Sequence, residues 1–457
     1  MMTESQRAAL AEYAAVKGQC PARERLAALF DDGVYTETGS NLRAGENLAG
    51  VVTAYGYIGG TPAYAFSQDS TVMKGAVSLA HSAKICKMFE LAARNGVPVV
   101  GIYDSCGAFV EDGADALNAY SDILLSMGSL SGVVPMVSVI SGVCAGTMAM
   151  IASSADFSVI TEGAELYLDA SGNNASAESA AKSGAVSAYA KSDAEAMDTV
   201  RRYLSLMPQN NLSPLPEFEF DAPVSAAFDN AENAAESIAD AGSILEVYGE
   251  YGTASYTALC TVSGVTAGIA ATNKTKDKLT SADCSKIARF VRLCDAYSIP
   301  VITVADTEGF DLHGADMVRA GAALAGAYAE ASCAKIALVS GKACGMAYIA
   351  FAGRNVAADA VYALPEAVIA PMDPVSAAEF LYHDKLKGAD DLAAARAQIA
   401  KEYAENEGSA FAAAAKGAAD EVVTAENVRA AVASVLDVTA GKRLNNRLPK
   451  KHNILPL

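Results

Sequence analysis

Two turns in the sequence carry the same chemistry. Val133 to Ile140 leads to Gly142-Val143-Cys144-Ala145-Gly146-Thr147, and Ala334 to Val339 leads to Gly341-Lys342-Ala343-Cys344-Gly345-Met346-Ala347. A β-rich run, then glycines, then an alanine-rich stretch predicts a strand–turn–helix junction. The first N–H groups of a helix have no partner inside it, and glycine lets a ligand approach the main chain closely. Such donors stabilise negative charge developing on an oxygen. The loops Asp104-Ser105-Cys106-Gly107-Ala108 and Asp306-Thr307-Glu308-Gly309-Phe310 close two further β-rich runs and are placed to supply second donors. Glycine turns also serve packing in many α/β proteins, so the pattern alone assigns no function.

Other chemistries find less support. The four histidines, His81, His313, His383 and His452, form no metal-spaced pair. A lone histidine reads as a surface or capping residue; His313, in the loop after a candidate turn, is the one placed to meet a ligand. Nine scattered cysteines without a CxxC pair argue against a disulfide framework or zinc ribbon. Cys106 and Cys144 lie on candidate turns but have no base partner, so both read as small buried hydrophobes. No Walker loop occurs, and no GxGxxG opens a βαβ unit. What remains is chemistry run by main-chain dipoles, and enolate formation on a thioester fits it.

The elements that position these turns are themselves duplicated. Lys84 to Asp104 (KICKMFELAARNGVPVVGIYD) aligns without a gap with Lys286 to Asp306 (KIARFVRLCDAYSIPVITVAD). Ile85, Met88, Phe89 and Ala92 form one helical stripe, and Ile287, Phe290, Val291 and Cys294 repeat it. Each helix breaks, at Asn95-Gly96 and near Ser298, before a short apolar run that predicts a buried parallel strand. Two similar α/β domains follow, 1–225 and 226–457, with the boundary in the polar, proline-containing stretch from Pro208 to Ser225. Residues 385–440 read as helical, and the basic tail from Lys442 as extended.

The bulk properties agree with this picture. A chain of 457 residues exceeds one ordinary core. Only 19% of residues are charged, which suggests surface hidden in an oligomer. The net charge of −19 offers no footprint for nucleic acid, although a polyanionic cofactor could still sit at helix N-termini. Ile123 to Ala155 holds no charge and is long enough for a membrane span. Pro135 and four glycines make it a buried helix–strand–turn–helix instead. The N-terminus has no signal-peptide pattern. With reduced thiols, the expected location is cytoplasmic.

The chain resembles the carboxyltransferase component of biotin-dependent acyl-CoA carboxylases and decarboxylases, in the crotonase superfamily. Ala22-Arg23-Glu24-Arg25-Leu26 is similar to the family's ARER segment, and Asp104-Ser105-Cys106-Gly107-Ala108 to DSGGA. Lys342-Ala343-Cys344-Gly345-Met346-Ala347-Tyr348 is similar to KAYGGAY. Ala65-Phe66-Ser67-Gln68-Asp69, Val134-Pro135, Cys144-Ala145-Gly146, Ala288-Arg289-Phe290-Val291-Arg292 and Lys450-Lys451-His452-Asn453-Ile454 extend the likeness over almost the whole chain.

The resemblance implies two tandem crotonase-like domains, acyl-CoA on the N-terminal one and biotin on the C-terminal one. It also implies an active site at a dimer interface and an oligomer built from dimers, up to a hexamer. Carboxybiotin would release CO2, and the freed ring nitrogen would take the α-proton of the thioester. By position, Cys106, Gly107, Ala108 and Gly146 would serve the thioester enolate, and Gly345, Met346, Ala347 and Ile349 the biotin side. Metal is not implied. Lys74, after Met73, lies inside the match and reads as non-biotinylated, so biotin would arrive on a separate carboxyl carrier protein. Further partners would be a biotin carboxylase subunit or a sodium-pumping membrane decarboxylase subunit. The chain departs from the family at Cys106, Phe109, Met346 and Ile349, and in a short loop after Phe310. These departures leave the acyl group open. A non-catalytic scaffold and biotin-free crotonase chemistry are the alternatives.

Overall fold

The computed structural model describes residues 2–169, 175–223, 225–275, 277–311, 316–354 and 358–442. His313 and His452, most of the tail from Lys442, and residues 170–174 lie outside the described residues. The fold is mixed α/β. It divides into two compact units, Met1–Pro214 and Leu215–Leu457, so the division falls within the polar stretch and before Ser225.

Unit 1 is built on an eight-stranded sheet. Its elements are α1 (Pro21–Leu29), β1 (Tyr35–Thr38), β2 (Val51–Ile58), β3 (Thr61–Gln68), α2 (Leu79–Asn95), β4 (Val99–Ser105), α3 (Asp115–Leu130), β5 (Met136–Ala145), α4 (Thr147–Ser153), β6 (Phe157–Thr161), β7 (Glu165–Tyr167), β8 (Ala188–Ala190) and α5 (Asp193–Leu206). The sheet order is β1-β2-β3-β4-β5-β6-β8, with β7 paired to β5. The hairpin β2–β3 is antiparallel, and β3 to β6 run parallel.

Unit 2 repeats the plan. It contains β9 (Leu245–Glu246), β10 (Tyr256–Val262), β11 (Val265–Ala271), α6 (Ser281–Ala296), β12 (Val301–Ala305), α7 (Asp316–Glu330), β13 (Lys335–Val339), β14 (Lys342–Cys344), α8 (Met346–Phe351), β15 (Ala360–Ala363), β16 (Val368–Ala370), β17 (Glu421–Val422) and α9 (Ala425–Thr439). The order is β9-β10-β11-β12-β13-β15-β17, again with an antiparallel hairpin feeding parallel strands. The small β14–β16 pair corresponds to the β5–β7 pair of unit 1.

The repeated stripes do the packing. Ile85, Met88, Phe89 and Ala92 are all buried, as are Ile287, Phe290, Val291 and Cys294. Gly96 ends α2 in the left-handed conformation, and Ser298 takes the same conformation after α6. The charge-free stretch is helix, strand and helix as expected, and among the described residues no helix is long and apolar enough to cross a membrane.

His81 overturns one expectation, because it is fully buried rather than at the surface. Its Nε2 lies 3.2 Å from Gln68 Nε2, and Gln68 Oε1 accepts the Asp104 N–H at 3.1 Å. The amide therefore donates to the imidazole, which stays neutral. Two glycines have an equally physical reason. A Cβ on Gly142 would lie 2.3 Å from Asp104 Oδ1, and one on Gly341 would lie 2.3 Å from Asp306 Oδ1. Only a missing side chain lets each carboxylate tuck beneath the turn.

Two predictions follow from these contacts. Gly142→Ala and Gly341→Ala should each cost about 1–3 kcal/mol through overpacking, read by urea unfolding. Gly128→Ala, with open space around the added carbon, should be neutral or stabilising by about 0.5–1 kcal/mol. Burial, then the charge of Lys84, lowers the His81 pKa from 6.5 to about 3. The unfolded chain therefore binds the extra proton first, and stability falls as pH drops through 6.5 toward 3. His81→Gln should remove that slope, so the variant's stability relative to the parent improves steadily between pH 7 and pH 4.5.

Candidate functional site

The turn pair of unit 1 lies where two neighbouring parallel strands end. Ser105 at the end of β4 pairs with Cys144 near the end of β5, which sets the 105–109 loop beside the 145–147 turn. A Cβ on Gly107 would come 4.0 Å from the Ala145 carbonyl. Gly146 has φ 65° and ψ −139°, a conformation that only glycine holds readily, and caps α4 without a side-chain bond.

Most N–H groups here are used to hold the loops. Cys106 N–H donates to the Lys74 carbonyl at 3.1 Å, and Gly107 N–H to Ser105 Oγ at 3.2 Å. Phe109 N–H donates to the Val77 carbonyl at 3.0 Å, and Gly146 N–H to the Tyr167 carbonyl at 2.9 Å. The N–H groups of Ala108, Thr147 and Met148 are left without a partner among the described residues. Of the four residues singled out on this side, Ala108 alone keeps its donor free. The second free donor, Thr147, was missed because sequence reasoning stopped at the glycine rather than at the first residue of the helix.

Unit 2 reproduces three of these four bonds. Gly309 N–H donates to Thr307 Oγ1 at 3.1 Å, Asp311 N–H to the Leu279 carbonyl at 2.8 Å, and Gly345 N–H to the Ala370 carbonyl at 2.9 Å. The N–H groups of Phe310, Met346 and Ala347 have no partner among the described residues. Gly345 has φ 54° and ψ −122°, matching Gly146. Met346 and Ile349, 43% and 53% exposed, share one face of α8 beside these donors. The Met346 thioether lies back toward α7, where a Cβ on Gly321 would come 3.2 Å from its Cε.

Cysteines divide differently from the expectation. Cys144 is buried, and burial, with Asp104 nearby, pushes its thiol well above the usual range. Cys106 is exposed instead of buried. The Ser105 side chain points inward at the end of β4, so strand alternation turns Cys106 outward.

Each loop rests on an acidic residue. Asp306 accepts the Lys342 N–H at 2.8 Å and Asn273 Nδ2 at 3.3 Å. Asp104 accepts Ser70 Oγ at 2.8 Å and Arg25 Nη1 at 3.0 Å. The arrangement can polarise an oxygen at two separate places, once in each unit, without a titrating protein side chain.

Residues 14–455 match the carboxyl transferase domain family. The chain is 33% identical to the methylmalonyl-CoA decarboxylase subunit alpha of Propionigenium modestum, over 96% of this chain and 94% of that protein. It is 33% identical to the methylmalonyl-CoA carboxyltransferase 12S subunit of Propionibacterium freudenreichii subsp. shermanii, over 96% and 92%. A crystal structure of transcarboxylase 12S, a hexamer with methylmalonyl-coenzyme A and methylmalonic acid bound, superposes with a TM-score of 0.90 at 31% identity, covering 100% of this chain and 99% of that one. A duplicated α/β plan ending in main-chain donors, matched over nearly its full length, places this chain in the carboxyl transferase domain family, the carboxyltransferases of biotin-dependent acyl-CoA enzymes.

Proposed function

We propose that the chain moves a carboxyl group between biotin on a separate carrier protein and the α-carbon of a short acyl-CoA, with the thioester at unit 1 and biotin at unit 2. The observation that carries this reading is the duplicated pair of unpaired donors, Ala108 with Thr147 and Phe310 with Met346, each at the end of parallel strands. The two units then correspond to tandem crotonase-like domains.

The Ala108 and Thr147 N–H groups hold the thioester oxygen as its α-carbon gains carbanion character. One such donor is worth about 2.7–4 kcal/mol in acyl-transfer enzymes. Cys106, Gly107 and Gly146 spend their own N–H groups in shaping that turn. Biotin, when bound, supplies the carboxyl-carrying nitrogen and its own base. The free donors of Phe310, Met346 and Ala347 fit a ureido oxygen, and Met346 and Ile349 offer apolar edges to its ring. Gly345 sets the turn that presents them.

Relatives named as methylmalonyl-CoA enzymes support a methylmalonyl or propionyl group over a longer one. Both decarboxylase and carboxylase subunits occur among them. Direction is therefore set by the partner, either a biotin carboxylase subunit or a sodium-pumping membrane subunit. A homo-oligomer accords with the hexameric relative and with the exposed Val110, Leu117, Leu125 and Phe380. A cytoplasmic location accords with partners of this kind.

Purified protein should transfer carboxyl from methylmalonyl-CoA or malonyl-CoA to biocytin. Gly146→Val should lower kcat by about 10²–10³-fold, because the turn that aims one donor is lost. Met346→Ala should raise KM for biocytin several-fold while leaving KM for the CoA thioester unchanged. The opposite split would reverse the assignment of the two units. Failure of the parent protein to turn over either substrate, or to bind CoA thioesters, would remove the reading.

A further inference from the structure

One guanidinium in unit 1 touches both strands that deliver the donor turns. Arg25 on α1 donates from Nη1 to Asp104 Oδ2 at 3.0 Å, at the end of β4. Its Nη2 reaches the Ser141 carbonyl at 2.8 Å, on β5 just before Gly142. Its Nε reaches Asp193 Oδ2 at 3.1 Å, at the start of α5. The Arg25 and Asp104 side chains are each 13% exposed. The planar guanidinium holds its three bonds in fixed, diverging directions, whereas the three donors of a lysine ammonium radiate from a single rotating nitrogen.

We propose that Arg25 is a positioning residue for the unit 1 turn pair. It fixes the spacing between the 105–109 loop and the 145–147 turn, and it cancels the negative charge of Asp104 beneath them. The inference rests on the assignment of the thioester oxygen to Ala108 and Thr147. A carboxylate under an oxyanion site opposes the charge that must develop there, unless a cation faces it. Gly142 makes the close approach of Asp104 possible, so the carboxylate cannot retreat. Unit 2 ties its strands by another means. Asp306 takes the Lys342 main-chain N–H and the Asn273 amide, while the Lys342 ammonium bonds Glu308 and Asp373 instead. The guanidinium clamp thus belongs to one unit, and its loss should touch one half of the reaction.

The test compares Arg25→Gln and Arg25→Lys with Arg23→Gln. Arg23 is on the same helix, and its pair with Glu37 is similarly shielded, with side chains 16% and 7% exposed, but it bonds neither β4 nor β5. All are assayed for methylmalonyl-CoA to biocytin transfer and for melting temperature. Arg25→Gln should lose about 10–100-fold in kcat with KM for biocytin unchanged, and Arg25→Lys should recover part of it by restoring charge. Arg23→Gln should melt earlier yet keep kcat within about twofold of the parent. An Arg25→Gln enzyme within twofold of the parent would overturn the proposal. So would a loss that Arg23→Gln reproduces at equal melting temperature. If Arg25→Gln does not fold, an Arg25→Lys enzyme with unchanged kcat overturns it equally. Gly146→Val separates the two readings. If it is inactive while Arg25→Gln is normal, only the role of Arg25 fails; if it is fully active, the site assignment fails first.

Discussion

The constraint on which this structure depends is that a few backbone N–H groups must stay unbonded while everything around them is held. Ala108 and Met346 are exposed and Thr147 is half-buried, so solvent reaches these donors; what keeps them free of protein partners is that the neighbouring main chain has no freedom to turn and satisfy them. In both units the neighbours are bonded first. Gly107 and Gly309 close onto Ser105 and Thr307, while Gly146 and Gly345 close onto Tyr167 and Ala370. Among the described residues, Ala108, Thr147 and Met148 remain in unit 1, and Phe310, Met346 and Ala347 in unit 2. The segment below unit 1 shows what this takes, since Met73, Lys74 and Gly75 are three successive residues at positive φ. Their strain is held because the Lys74 carbonyl accepts the Cys106 N–H and a Cβ on Gly75 would meet the Asp104 carbonyl at 2.2 Å.

Much of this was legible in the residues. The stripe Ile85-Met88-Phe89-Ala92 and its copy named two buried helix faces, and the apolar runs after them named parallel strands. The gapless alignment of Lys84–Asp104 with Lys286–Asp306 found the duplication, because repeated burial imposes a repeated pattern. What was not legible was which donor is spent and which is free. Cys106, Gly107 and Gly146 stand in the right turns, but their N–H groups bond to carbonyls or hydroxyls that only tertiary structure brings near. His81 and Cys106 failed for the same reason. Whether a histidine is buried depends on Gln68, thirteen residues away, and whether a thiol is exposed depends on the strand phase at Ser105.

The paired lysines show how far the duplication reaches below the site. Lys84 and Lys286 are buried on equivalent helices, and burial lowers each pKa to about 8. Their ammonium groups end on main-chain carbonyls, Val51 in one unit, Ser255 and Gly252 in the other. Among the described residues no carboxylate bonds either one. They satisfy carbonyls at the hairpin that each sheet turns around, and so fix the strand next to the donor loops.

The two units also differ in where they place side-chain bulk beside their donors. The burial pattern of α3, with Ala116, Ala119, Tyr120, Ile123, Met127 and Leu130 inward, matches that of α7 with Met317, Ala320, Gly321, Leu324, Tyr328 and, just past its end, Ala331. Tyr120 therefore holds the place of Gly321, as Thr147 holds the place of Met346. Bulk sits on the helix in unit 1 and on the turn in unit 2. The small Gly321 leaves space into which the Met346 thioether lies back. A duplicated scaffold can exchange volume in this way without moving a single main-chain donor, because the bonds that fix those donors run through the backbone and are indifferent to the side chains exchanged. That separation explains how one plan can hold its donor geometry constant while it reshapes the space beside each turn.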